Sequence, residues 1–538
     1  MPHPSPTTHN QRALLMTLLL PSLQAERIRR SIVDYLSTTF ALTDAEPRRV
    51  LADFLEDEEQ GVFVGPFVRL RLPYLAASAA SRAAGQADSP LDWDPGLAPY
   101  QHQEDAYRRL TTKGGHHPEP TIVTTGTGSG KTESFLHPVI DHVLRARAQG
   151  ITGIKALILY PMNALASDQA SRLASLITKD PALAGVRAAI YTGDSSASPR
   201  KHVTADSLIT DRYVIRDNPP DILLTNYKML DQLLLRPEDR ELWRASAASL
   251  TYLVLDEFHT YDGAQGTDVA MLLRRLGLTL RAHLPADDPR QEAFAASPLG
   301  PVCPVATSAT LGDGADPSRM LAFARDVFGA DLPTSAVVTE TRADLDRWAA
   351  THRQVAESKG LAGRALRLRS LPGENLLALA RLAEAGSPDP EELLRGVVAH
   401  LYDLPEEVED TLDAAGLASA LQAHPDVLDL VRAAENSTSL ADLACGLLGP
   451  IPESGLARRV LSAILAALSV VRAGLDGKPN RSAVNVEVTL WIREVTRIDR
   501  ALSSLPSFRW ADAASEQTQV EEPARPALYC RSCGRSGW

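Results

Sequence analysis

The chain is poor in cysteine, with four in 538 residues, too few for a scaffold stapled by disulfides. Cys303 and Cys445 stand alone in apolar surroundings, as core residues do, so a reducing compartment is expected. Positive charge is also in short supply: 55 Lys and Arg against 67 Asp and Glu leave a net charge of −12. That balance excludes a protein that coats nucleic acid by bulk charge, while leaving room for a local basic groove. Long hydrophobic runs are missing too. The strongest, Ala13 to Leu20, stops at Pro21, well short of the roughly 18 residues that cross a bilayer. It resembles a signal-peptide core after Arg12, but no small-residue cleavage site follows and the chain runs on into Glu26-Arg27-Ile28-Arg29-Arg30. Ile28, Ile32 and Leu36 recur at four-residue spacing, so an amphipathic helix, a cytoplasmic location and no membrane partner are expected.

What is present is ordinary globular composition, 44% hydrophobic and 23% charged, which excludes a largely unfolded chain. At one domain per roughly 150 residues the length suggests three or four domains. Residues 1–95 read as helices followed by a β-rich stretch, Gly61 to Leu72. From 96 to 335 short β-branched runs alternate with helical segments, the signature of a parallel α/β sheet. The predicted strands are Thr121 to Thr125, Ala156 to Tyr160, Ala188 to Tyr191, Ile222 to Thr225, Tyr252 to Leu255 and Val302 to Thr307. Residues 340–480 are rich in Ala, Leu, Glu and Arg and read as helical. One start signal is Asp389 as cap with Pro390 at the first helical position. Over 481–510 a strand and an Arg-bearing helix are expected, with Trp491, Arg493, Arg497 and Arg500 along that helix, either as a solvated face or as a nucleic-acid contact. An acidic linker and a Cys-x-x-Cys segment occupy 511–538.

Thr125-Gly126-Thr127-Gly128-Ser129-Gly130-Lys131-Thr132 follows the first predicted strand and precedes a helix. Glycines let successive backbone N–H groups face a phosphate, Lys131 can reach the β and γ phosphates, and the Thr132 hydroxyl can hold Mg²⁺. Thr125 departs from the general pattern, which has Gly there. Further on, the apolar run Leu253-Val254-Leu255 delivers Asp256-Glu257-Phe258-His259. Adjacent carboxylates at a strand's end are what an ATPase needs: Asp256 for Mg²⁺, Glu257 to orient and deprotonate the attacking water. The ATP-binding residues are thus expected to be Thr127, Gly128, Ser129, Gly130, Lys131, Thr132 and Asp256.

These segments resemble the superfamily 2 helicases of the DEAD/DEAH-box type, which implies an α/β fold with one RecA-like P-loop domain over 96–335. Pro99-Tyr100-Gln101-His102-Gln103 resembles the Q motif, and the resemblance implies adenine recognition by Gln103. Tyr160 to Gln169 is similar to motif Ia; with Gly193, Thr225 and Asn226 it implies nucleic-acid backbone contacts, at Pro161, Asn163 and Ala164 among others. Ser308-Ala309-Thr310 matches motif III, so Ser308 and Thr310 join Lys131, Asp256, Glu257 and His259 as implied catalytic residues. Pro161-Met162-Asn163-Ala164-Leu165 and the Asp-Glu-Phe-His box look like the MrfA/YprA-like DNA helicases and the large antiphage helicases of DISARM and Druantia type, which favours DNA over RNA as partner.

Such motors close ATP between two lobes, and the second supplies arginine fingers worth roughly 10³ to 10⁵ in rate in related phosphoryl-transfer enzymes. No Gln-x-x-Gly-Arg-x-Gly-Arg-like segment occurs; Gly363-Arg364 and Gly534-Arg535-Ser536-Gly537 are the nearest strings. A chain that binds ATP but hydrolyses it poorly is expected, with the other lobe on a longer product or on a second chain. Cys530-x-x-Cys533 is half of a tetrahedral zinc site, either completed by ligands from elsewhere or an incidental thiol pair. The rival functional reading is a non-catalytic assembly or sensor module that uses ATP as a conformational ligand.

Overall fold

The computed structural model describes residues 21–39, 42–57, 60–77, 89–126, 128–193, 199–309, 317–384, 389–405, 412–449, 454–475, 478–494, 497–512, 523–530 and 532–538. The chain forms two compact units, one spanning Tyr74–Thr341 and one built from the segments either side of it, Met1–Pro73 and Arg342–Trp538.

The unit Tyr74–Thr341 is organised by seven parallel strands: β1 (Thr121–Thr124), β2 (Ala156–Tyr160), β3 (Ala188–Tyr191), β4 (Ile222–Asn226), β5 (Tyr252–Leu255), β6 (Cys303–Ser308) and β7 (Val337–Thr339). Their spatial order is β3-β4-β2-β5-β6-β1-β7. Every residue of β1, β2, β5 and β6 is buried, which is why β2 and β5 read as apolar runs without alternation, while β1 and β6 bury Thr121, Thr124, Thr307 and Ser308 among their apolar residues. The strand alternation places one core on each face of the sheet. Leu157, Leu253 and Leu255 pack toward the helix Gly263–His283 on one side. Ile158 and Val254 pack against Phe135, Val139 and Val143 of the helix Lys131–Ala148 on the other. Strands β1 and β5, which carry the loop and the acidic box, are not adjacent; β6 lies between them and pairs with both. The unit begins upstream of residue 96, because Leu75 N–H donates to Thr341 O (2.8 Å) and Gln101 N–H donates to Leu75 O (2.9 Å).

In the other unit, the strand Phe63–Arg71 pairs antiparallel with Asn485–Ile492 along most of its length and with Thr438–Ser439 at its middle. Around it lies a helical core centred on Ser454–Ala473, in which Val460, Leu461, Leu465 and Ala467 are fully buried. Asp389 caps the helix Pro390–Tyr402 through Glu391 N–H, with Pro390 at its first position. The basic helix expected after 484 is absent among the described residues. Asn485–Ile492, Ile498–Ala501 and Phe508–Trp510 are strands, driven by the alternation of Val486, Val488 and Leu490 toward the two apolar clusters. The arginines assigned to that helix are engaged: Arg493 lies over the Trp510 ring and pairs with Asp512 (3.0 Å), Arg497 pairs with Asp499 (2.9 Å), and Arg500 lies over Trp538. Cys445, expected in the core, is exposed, while Cys303 is buried and burial pushes its thiol up. No helix of the described residues is long and apolar enough to cross a membrane.

Candidate nucleotide site and nucleic-acid face

Strand β1 runs on into Thr125, whose N–H donates to Ser308 O at the end of β6 (3.2 Å) and whose hydroxyl meets Ser129 Oγ (2.6 Å), closing the loop across its base. Gly128 and Gly130 sit at φ 75° and 79°, in the left-handed region where a side chain costs roughly 1–2 kcal/mol, and Gly130 caps the helix that begins at Lys131. The segment before the loop holds it from one side. His102 Nε2 is 3.0 Å from Ser129 O, and Gln103 Nε2 donates to Gly130 O (3.1 Å) while its Oε1 accepts from Tyr100 N–H (2.9 Å). Gln103, for which adenine recognition is expected, braces the helix Gln101–Leu110 against the loop. Thr127 lies outside the described residues.

The Lys131 side chain is 11% exposed, and its Nζ finds no hydrogen-bond acceptor among the described residues. Glu257 Oε1 is 3.6 Å away. A buried ammonium without a hydrogen-bonded counter-group is costly unless an anion completes it. The carboxylates opposite are fixed by Thr307. Its hydroxyl donates to Asp256 Oδ1 and accepts from Glu257 N–H (3.2 Å). Burial pushes the pKa of Asp256 up from the usual carboxylate range, the Thr307 hydrogen bond opposes that shift, and the charge of Glu257 adds to it. Glu257 has φ 51°, a left-handed conformation rare for a residue with a side chain, and strain of this kind collects at functional sites. His259 Nδ1 lies 3.2 Å from Ser308 Oγ and 3.6 Å from Glu257 Oε2, so one imidazole touches both the acidic box and the end of β6. Thr310 lies outside the described residues. The sequence reading missed Thr307; the available signal was a hydroxyl in an otherwise apolar strand, one position before Ser308.

These residues fit a magnesium–triphosphate ligand. The loop offers backbone donors and an ammonium that has no hydrogen-bond acceptor among the described residues, and Thr132 and Asp256 offer two oxygens of the hard type Mg²⁺ takes.

The other expected contacts lie at the same C-terminal edge of the sheet, on β2, β3 and β4. Pro161 and Ala164 flank the pair Met162–Asn163, in which Met162 is 63% exposed and Asn163 starts the helix Asn163–Lys179. Asn163 Oδ1 accepts from Asn226 Nδ2 (2.6 Å), and Asn226 Oδ1 caps the next helix through Met229 N–H (2.8 Å). Gly193 is exposed beyond β3. The Thr225 side chain is fully buried and its hydroxyl donates to Tyr191 O (2.6 Å), so it joins β4 to β3 and leaves its backbone as the part expected to meet a ligand. The edge is thus divided, with phosphate-binding chemistry on β5, β6 and β1 and the Asn163–Asn226 pair on β2 and β4.

Cys530 and Cys533 are exposed free thiols in the turn between Leu528–Tyr529 and Ser536–Gly537, and backbone N–H groups of Cys533 and Ser532 hold the Cys530 thiol below its usual range. No cluster of three or more His, Cys, Asp or Glu suited to a metal occurs among the described residues.

The chain is similar to the Druantia protein DruE of Escherichia coli (strain UMEA 4076-1), 28% identical over 333 residues, an overlap covering 44% of this chain and 17% of that protein. It is also similar to the ATP-dependent helicase YprA of Bacillus subtilis (strain 168), 33% identical over 177 residues, 33% of this chain and 20% of that protein. Among solved structures, the DNA-bound helicase MrfA overlaps 55% of this chain and 38% of its own at a TM-score of 0.34 and 21% identity. The chain therefore spans a fifth or less of the length of these two curated relatives. Residues 100–315 match the DEAD/DEAH box helicase family model, and the stretch that carries the loop, the acidic box and the Asn163–Asn226 pair is a DEAD/DEAH box helicase domain.

Proposed function

We propose that the unit 74–341 is the ATP-binding lobe of a DNA helicase or translocase. The observation that carries this is the Lys131 ammonium, buried without a hydrogen-bond acceptor among the described residues and facing Glu257 across the loop. In this reading Lys131 pairs with the β and γ phosphates, and Thr132 and Asp256 hold Mg²⁺. The metal supplies charge neutralisation of the phosphates when bound. Glu257 orients the attacking water and takes its proton, while Lys131 holds the phosphates against the helix N-terminus. Thr307 keeps the two carboxylates in register, and His259 passes a shift at Glu257 to Ser308 and so to the end of β6.

Pro161, Asn163, Ala164, Gly193 and Asn226 form the nucleic-acid face, using mostly backbone groups, which suits an acidic chain. DNA is favoured over RNA by the likeness to YprA-type helicases, and phage defence by the likeness to a Druantia protein. The arginine fingers come from a second lobe, on the remainder of a longer protein or on another chain, so this chain alone binds ATP and turns it over slowly. Cys530 and Cys533 supply two zinc ligands, the others coming from the same missing source. The setting is the cytoplasm.

The test is equilibrium binding of ATP followed by single-turnover hydrolysis, with and without DNA, on the wild-type chain and Lys131→Ala. Loss of the ammonium weakens ATP binding by about 10²-fold or more, since a charged hydrogen-bonded contact is worth about 3 kcal/mol. Full affinity in Lys131→Ala refutes the site. Binding with no turnover even when a second-lobe fragment is added favours the sensor-module reading instead.

A further inference from the structure

Strand β7 pairs with β1 in parallel, Ile122 with Val337, Val123 with Val338 and Thr124 with Thr339. The next residue, Glu340, is therefore delivered beside the start of the phosphate loop, and its Oε2 accepts from Gly126 N–H at 2.8 Å. The residue after it, Thr341, accepts from Leu75 N–H, and Leu75 O accepts from Gln101 N–H at the head of the helix that carries Gln103. One strand end thus ties the leading turn of the loop to the segment that braces its far turn at Gly130.

We propose that Glu340 is a positioning residue for the phosphate loop, holding the Gly126 amide so that the later amides and Lys131 face the triphosphate. The proposal rests on the ATP-site reading above. A carboxylate at this place has two opposed effects. Its charge repels a triphosphate, which favours tighter binding when it is removed, and its charge-assisted bond, stronger than a neutral one, orders the loop, which favours weaker binding when it is removed. The loop's glycines make the second effect the larger, because Gly126 and Gly128 impose no conformation of their own and the bond to Glu340 supplies it.

The test is calorimetric titration of ATP and of adenosine into the full chain as wild type, Glu340→Ala, Glu340→Gln and Lys131→Ala. Glu340→Ala is expected to weaken ATP binding about tenfold and to leave adenosine binding unchanged, and Glu340→Gln, which keeps a neutral acceptor, to fall between at about threefold. The proposal is overturned if Glu340→Ala binds ATP as tightly as wild type or more tightly while Lys131→Ala has lost it, or if ATP and adenosine weaken equally. If the alanine variant fails to fold, Glu340→Gln decides: a lowered ratio of ATP to adenosine affinity supports positioning, and an unchanged ratio refutes it. Retained ATP affinity in Lys131→Ala would instead sink the underlying site.

Discussion

Replacing Gln103 by Glu separates two jobs the structure gives one side chain. Gln103 is 7% exposed, accepts from Tyr100 N–H at 2.9 Å and donates to Gly130 O at 3.1 Å. A Cβ built on Gly130 would come within 2.2 Å of Gln103 Nε2, so the amide head lies directly against the loop. A glutamate at the third helical position accepts the Tyr100 N–H as well as a glutamine does. It cannot donate to Gly130 O. The lost bond is worth about 1 kcal/mol, and a carboxylate facing a carbonyl oxygen in a buried place adds a similar or larger penalty, so the loop should lose about 2–3 kcal/mol, or roughly 30- to 150-fold in ATP affinity. Gln103→Ala loses the same contact and also strands the Tyr100 amide, a further loss of about 1–3 kcal/mol of folding stability. Titration with a fluorescent ATP analogue reads the first effect, and urea unfolding at neutral pH the second. If Gln103→Glu binds the analogue as wild type does, the brace between the helix Gln101–Leu110 and the loop is irrelevant to nucleotide binding.

His137 is buried, bonded to Tyr107 OH at 2.8 Å, and desolvation lowers it from 6.5 to about 4; His142 is lowered to about 4 by the same cause, helped by Arg145 and Lys155. The unfolded chain binds protons below pH 6.5 that the folded unit refuses until about pH 4, so stability is full above 6.5 and falls through that window, by about 2 kcal/mol per histidine at pH 5. Because His352 is also lowered to about 4 and burial lowers His424, His137→Gln should reduce the difference in urea midpoint between pH 7 and pH 5 by roughly a quarter to a third, and an unchanged difference would contradict the assignment. Gly277 lies in the helix Gly263–His283, where an added Cβ would stand 1.7 Å from Pro298 O. Ala at that site gains about 1 kcal/mol of helix propensity but must displace backbone, so Gly277→Ala should destabilise by about 1–3 kcal/mol net of that gain, read by thermal or urea unfolding.

The parallel sheet was legible because strands covered on both faces leave long unbroken apolar runs, and the observed bounds of β2, β3 and β5 coincide with Ala156 to Tyr160, Ala188 to Tyr191 and Tyr252 to Leu255. Strand β7 was not, since three residues with one buried carry almost no pattern. Arg493, Arg497 and Arg500 imitate helical spacing, yet Val486, Val488 and Leu490 alternate, and the pairing of Phe63–Arg71 with Asn485–Ile492 decides for strand. That pairing joins residues too far apart for local periodicity to reveal. Cys445 was misjudged for a simpler reason: the buried stripe of its helix is Leu440, Leu443, Ala444, Leu447 and Leu448, and position 445 falls off it. At the site, the loop and the acidic box carry their own chemistry in sequence, whereas Thr307 and Glu340 matter through neighbours that only the sheet order brings beside them.

The chain leaves the discontinuous unit at Pro73 and rejoins it at Arg342, where Ala343 N–H donates to Pro73 O (2.9 Å) and Arg342 reaches Leu72 O. During synthesis the strand Phe63–Arg71 emerges from the ribosome long before its partner Asn485–Ile492 exists, and the whole of 74–341 can fold in the interval. Because Leu75 and Thr341 are hydrogen-bonded, that stretch begins and ends at one spot and is suited to excision or circular permutation. Closing the long gap costs the waiting half little extra, as each doubling of loop length adds only about 0.6 kcal/mol, and a prefolded insert shortens the effective gap to the distance between two adjacent ends.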